Sequence, residues 1–247
     1  MRRLLLGMGL AVLMAVPSMA SAEQRVDRTA FDRSLGYATA ATRLSPHGTV
    51  SKQLHRLCPL VIGATPETNA YVASRLRQVA GEVGVEYEHK DCYPNLLVLF
   101  SDEPDQMLGE AWRSGRISYD GISAPRMRQF QDSVQPIRWV HGTGDLYLSD
   151  KGTGLYNSLV VIDARQTRDV PIAAIADYVS LVSLADIKPD AAQPAQASIL
   201  NLFAGGATAP AGLTETDRAY LRGVYAVNRR IGGQNQVRRV AAIMAGQ

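Results

Sequence analysis

The residues best placed to do chemistry in this chain are acidic. Asp102, Glu103 and Asp105 follow directly on the apolar run 95–100 (NLLVLF), and Asp163 follows directly on 157–162 (NSLVVI). Both runs read as buried strands, and ligands of open α/β sheets collect at the carboxyl ends of such strands. Carboxylates from two parallel neighbours, Asp102 and Asp163, have the oxygen chemistry to hold a divalent cation there. The plainer reading is that the acids start the next helix and keep a turn soluble, and we prefer it. Other catalytic patterns are missing from the sequence: no G-x-S-x-G, no phosphate-binding G-x-x-x-x-G-K-[ST], no H-E-x-x-H and no C-x-x-C. His47, His55, His89 and His141 are scattered, and no two stand one helical turn apart. Gly152-Thr153-Gly154 lacks the third glycine of a dinucleotide fingerprint.

The elements that must position these residues alternate. A first helix is expected over 29–44 and a strand over 57–62. Thr65-Pro66-Glu67 then starts a helix, with a hydroxyl N-cap, proline at N1 and a carboxylate in the first turn. Tyr71, Val72, Leu76, Val79 and Val83 give that helix one apolar face, and Gly84 ends it. A short strand at 85–87 and the strand 95–100 complete a βαβ unit. Helices around 105–112 and 124–133 and a strand at 137–141 come next. Gly142, Gly144, Gly152 and Gly154 mark a flexible hairpin or surface loop. Beyond strand 157–162, a helix over 171–185 leads to a linker-like stretch, 188–197. A short apolar segment at 198–203, a loop at 205–212 and helices over 214–227 and 234–244 finish the chain, with Thr214 and Asp217 in capping-box spacing.

The first 22 residues read as a cleavable export signal. Arg2 and Arg3 precede an uncharged run from Leu4 to Val16, Pro17 breaks it, and Ala20-Ser21-Ala22 offers a cleavage site. That run is too short to span a bilayer, and no later stretch is long enough, so no membrane anchor is expected after cleavage. Losing the two arginines takes Lys+Arg from 26 to 24 against 23 Asp+Glu, near neutrality, which argues against a nucleic-acid partner. In an exported chain the even pair Cys58 and Cys92 reads as a disulfide, contributing ~3–4 kcal/mol by chain entropy. Arg229, Arg230, Arg238 and Arg239 form a basic C-terminal patch, read as a solvated helical face.

The order Ala176-Asp177-Tyr178-Val179-Ser180 through Leu184, then 198–203 (SILNLF), then 213–225 (LTETDRAYLRGVY) resembles a family of uncharacterised secreted proteobacterial proteins. Those proteins are themselves similar to zinc-metallopeptidase (zincin-like) domains. The resemblance covers roughly residues 157–228, most specifically LTETDRAYLRGVY. It implies a helix following an edge strand and, in a working peptidase, two imidazoles one turn apart with a glutamate between them. This chain has Ala176, Asp177 and Ser180 there, so the resemblance implies a helix that keeps its packing role and holds no metal.

The expected fold is therefore α/β (or α+β). It is a mixed four- to five-stranded sheet flanked by helices, one domain over 23–247 with a C-terminal helical lobe from about residue 190. The expected role is a periplasmic or secreted, non-catalytic protein without a cofactor, a binding or envelope-associated module with a protein partner in the envelope. The alternatives are a hydrolase with a metal at Asp102 and Asp163, and a peptidase regulator.

Overall fold

Strong local signals set the first βαβ unit. The computed structural model describes residues 19–88, 92–115, 121–145, 153–189, 197–204, 209–227 and 231–247. Strand β1 is Ser51–Gln53 and β2 is Pro59–Ile62. Helix α2 (Pro66–Glu82), following α1 (Met19–Ala41), opens where Thr65 Oγ1 accepts from the Thr68 amide at 3.2 Å. It ends in a Schellman closure, with Val85 N–H bonded to Ala80 O and Gly84 N–H to Gly81 O. Gly84 sits at φ +75°, which a side chain would strain. Buried Val72, Leu76, Val79 and Ala80 form the inner stripe of α2, and the chain returns as β3 (Leu96–Ser101).

Helices α3 (Pro104–Arg113) and α4 (Ala124–Gln131) lead to β4 (Ile137–Asp145), which pairs antiparallel with β5 (Thr153–Asp163). Gly142 and Gly144 thus pair within the sheet, opposite Tyr156 and Gly154; residues 146–152 lie outside the described residues. Strand β5 is the spine of a five-stranded sheet. On one side it pairs with β4, on the other with β1 up to Leu155 and then with β3 from Ser158, and β2 extends the sheet beyond β3. Asn157, at φ +48°, stands where β5 changes partner, opposite a register shift between Val140 and Gly142 in β4. Tyr87 adds a parallel bridge to Leu57, a sixth extended stretch beyond the four to five strands expected.

One sheet face carries the main core, built with α2 and α5 (Ile172–Leu184). Every residue of α5 from Ala174 to Leu184 is buried, as a helix packed on all sides must be. The opposite face carries a smaller cluster around Leu108, Met127, Phe130, Leu159 and Val161. Helices α6 (Glu215–Ala226) and α7 (Gly233–Met244) pack with α1 and share the main core through Tyr220, Leu221, Val224 and Val240, so the expected C-terminal lobe has no separate core. No helix among the described residues is long and apolar enough to cross a membrane. The export signal falls almost wholly on residues 1–18, outside the described residues.

Candidate functional site

The acidic residues that opened the sequence reading do share one end of the sheet. Strands β3 and β5 are parallel with Ser101 opposite Asp163, so Asp102 and Asp163 leave neighbouring strands at the same edge. Their carboxylates have different tasks. Asp163 Oδ1 accepts from the Arg165 and Gln166 amides at 2.9 and 3.1 Å, and Oδ2 from Gln166 Nε2 at 2.7 Å. Desolvation pushes Asp163 up, but these donors together with Arg165 outweigh it and hold the carboxyl below its usual range. Asp102 is exposed, and Asp105 pairs with buried Arg138 at 2.6 Å. Among the described residues no three His, Cys, Asp or Glu side chains stand in metal-holding geometry.

The helix carrying the metallopeptidase resemblance is α5, and its polar positions face packed protein. Asp177 accepts a two-pronged pair of bonds from Arg75, through Nε and through Nη2 at 3.1 Å, and a third from the Leu213 amide at 2.7 Å. A Cβ at Gly212 would lie 2.4 Å from Asp177 Oδ2, so only glycine lets that loop close over the carboxylate. Ser180 donates back to Ala176 O at 2.7 Å. Asp177 therefore ties α2, α5 and the loop before α6 together. The strand preceding α5 is also not the edge that the resemblance implies, because the β4 hairpin covers the outer side of β5.

The LTETD segment has an equally structural role. Asp217, fully buried, accepts from Tyr37 Oη at 2.7 Å and Ser198 Oγ at 2.6 Å through Oδ1. Its Oδ2 accepts from the Ile199 and Thr214 amides, both at 2.9 Å. The expected capping box is present, and it is also the staple joining α1, the 3-10 turn at Ile199–Asn201 and α6.

One constellation was missed in the sequence. His141 Nε2 lies 2.8 Å from Val182 O, a pure acceptor, so Nε2 carries the proton and Nδ1 accepts from Ser158 Oγ at 2.8 Å. A hydroxyl aimed at an imidazole is how a nucleophile is activated. Here His141 is 1% and Ser158 4% exposed, sealed between β4, β5 and α5. Burial drives the imidazole down to about 3, with Arg126 and Arg43 adding to the effect against the pull of the Val182 carbonyl. The pair is a core hydrogen bond. Its only sequence signal is a polar residue beside an apolar run in each strand, His141 after Trp139-Val140 and Ser158 before 159–162.

A cleft of about 540 Å³ opens between the carboxyl end of β1, the closure of α2 and the last turn of α6. Lys52, Gln53, Val85 and Val227 are buried in its lining, whereas His55, Arg56 and Glu86 are exposed at its rim. Lys52 Nζ donates to the carbonyls of Val224, Tyr225 and Val227 at 3.1, 3.1 and 2.7 Å, where a cation suits a helix C-terminus. Arg56 pairs with Glu86 at 2.7 Å and reaches Glu88 at 3.8 Å. Leu57 donates to Glu86 O and accepts from the Glu88 amide, lacing two walls together. The Cys58–Cys92 disulfide, expected from the sequence, closes the same seam across 34 residues. Gln53 donates its main-chain N–H to Tyr225 Oη at 3.2 Å, and its side-chain Nε2 is buried with no hydrogen-bond partner among the described residues.

No family model, curated protein or solved structure matches this chain. The geometry of the cleft and the sealed nodes therefore has to carry the functional argument. Of the basic patch, Arg238 and Arg239 are exposed on α7, and Arg229 and Arg230 lie outside the described residues.

Proposed function

We propose that this is an exported, non-catalytic binding protein of the cell envelope whose ligand occupies the cleft beside Gln53. The reading rests on one contrast. The groups with catalytic character (Asp177, Asp217 and the Ser158–His141 pair) are buried and bonded within the chain, while a concavity of about 540 Å³ between β1, α2 and α6 stands open. Nucleophiles and bases act only where a substrate can reach them. The disulfide supports the export part of the reading, since such bonds persist in oxidising compartments.

Thermal unfolding of the mature protein in a small-molecule extract of the cell envelope tests this. A ligand at about 100 times its Kd adds about 2.7 kcal/mol, a rise of roughly 5–10 °C for a chain of this size. Ala226 is exposed and lines the cleft, so Ala226→Trp should fill it, leave the fold intact and abolish the rise. No rise in the unsubstituted protein defeats the binding reading, and peptide or ester turnover by the purified chain defeats the non-catalytic one.

A further inference from the structure

We propose that the bare end of the second sheet face is a docking ledge for a basic, amphipathic helix of a protein partner. The ledge is a separate surface from the cleft. The strand register lays two apolar rows across that face: Leu60, Leu97, Leu159 and Val140 in one, Ile62, Leu99 and Val161 in the other. Helices α3 and α4 cover the rows through Leu108, Met127 and Phe130, and Val140, Leu159, Val161 and Leu99 are buried there. Toward the edge of the sheet the cover runs out. Leu97 is half-buried, and Leu60 and Ile62 on β2 are each 41% exposed. Exposed leucines standing singly are ordinary, but these two continue core rows past their cover.

Geometry selects a helix as the occupant. Strands lie about 4.8 Å apart and packed helices roughly 8–10 Å apart, so one helix covers about two strands. Helices α3 and α4 pack on β3, β5 and β4, which leaves β2 for a third. An added strand fits less well, because Pro59 has no N–H to offer and the outer side of Leu57 is already bonded to Glu86 and Glu88. Charge then selects the flank of that helix. Gly63, next to Ile62, lies so close to β3 that a Cβ there would collide with the Phe100 carbonyl, so the ledge adjoins the segment that follows β3. Asp102 and Glu103 in that segment, and Glu67 at the start of α2, are exposed and have no ion-pair partner among the described residues. Asp105 is matched by Arg138, and Asp163 by Arg165, so the unmatched charge at this end is acidic. Lysines or arginines beside an apolar stripe complement such a surface.

The test is calorimetry on the mature chain with two designed helical peptides. Both carry leucine at i, i+3, i+4 and i+7, flanked by lysine in one and by glutamate in the other. The lysine peptide should bind saturably, and the glutamate peptide about tenfold more weakly or not at all. Raising salt from about 0.05 to about 0.5 M should weaken the lysine peptide severalfold, because the charges that meet are exposed. Ile62→Lys should weaken it about tenfold or more. Leu60→Gln, a milder change on the same ledge, should act in the same direction and stands in if Ile62→Lys does not fold. Asp102→Asn combined with Glu103→Gln should remove most of the salt dependence, and Ala226→Trp in the cleft should change nothing. Equal binding of the two peptides overturns the proposal, as does no binding, or binding that both Ile62→Lys and Leu60→Gln leave untouched. Self-association in sedimentation, or binding to anionic phospholipid vesicles, that Ile62→Lys abolishes would assign the ledge to a second copy or to a bilayer and would overturn it too. None of these outcomes bears on the cleft, which the envelope extract tests separately.

Discussion

The two ends of α6 treat buried polarity in opposite ways. At its first turn, Asp217 gathers three hydroxyls and two amides around one carboxylate, so none of the six groups faces an empty partner position. At its last turn, Lys52 satisfies three carbonyls beside an open cleft, and the buried Gln53 Nε2 has no partner among the described residues. Both ends are fixed by residues distant in sequence, so distance alone does not separate architecture from function. Completeness does. A node that the chain satisfies by itself holds the fold, whereas a concavity that the chain leaves open has room for something outside it.

Removing the complete node should have the largest effect. Asp217→Ala strands Tyr37, Ser198 and two amides in the core, which should cost about 4 kcal/mol or more and lower Tm by roughly 10 °C. Urea unfolding followed by circular dichroism measures it. A loss below about 1 kcal/mol would erase the contrast between the two ends. Next comes the Cys58–Cys92 bridge, which holds the seam at the open end. Replacing both cysteines with alanine should cost about 3 kcal/mol. It should also speed hydrogen exchange at the Glu86 and Glu88 amides more than in α7, whereas a uniform change would mean that the bridge does not act on the cleft walls.

Acid should separate the sealed pair from the cleft. Folding holds His141 at about 3 against an ordinary 6.5, so the unfolded chain binds the proton first as pH falls. The pair's contribution is complete above pH 6.5 and declines from there toward pH 3, with a slope of at most about 1.4 kcal/mol per pH unit. His141→Gln keeps a donor for Val182 O without the titration and should flatten stability across that window. An unchanged slope would mean that groups other than His141 govern the acid limb.

Much of the mixed α/β architecture was legible because its signals are local. Thr65-Pro66 starts α2, Gly84 ends it, the apolar run before Asp102 is β3, and Thr214 with Asp217 caps α6. Strand β1 was not legible. Ser51-Lys52-Gln53 is short and polar, and it is a strand only because β5 pairs with it about 100 residues later. The glycines of the β4–β5 hairpin suggested looseness, but pairing with a register shift orders Gly142 and Gly154 within strands. The cleft was hidden for the same reason as β1. Its walls come from 52–56, 83–86 and 225–227, and no spacing rule joins them.

The smallest effect is the sharpest comparison, because it lies within a single helix. Ser180 and Ser183 are both buried on α5, but Ser180 donates to Ala176 O and Ser183 Oγ has no partner. Ser180→Ala removes a bonded hydroxyl and should lower stability by up to about 1 kcal/mol. Ser183→Ala removes an orphan and should raise stability by roughly 0.5–1 kcal/mol, since alanine also suits a helix interior better than serine. Matched urea titrations of the two variants give the sign directly. Opposite signs three residues apart, in one core and at nearly equal volume change, isolate hydrogen-bond completeness from packing. Equal signs would show that packing on α5 outweighs it.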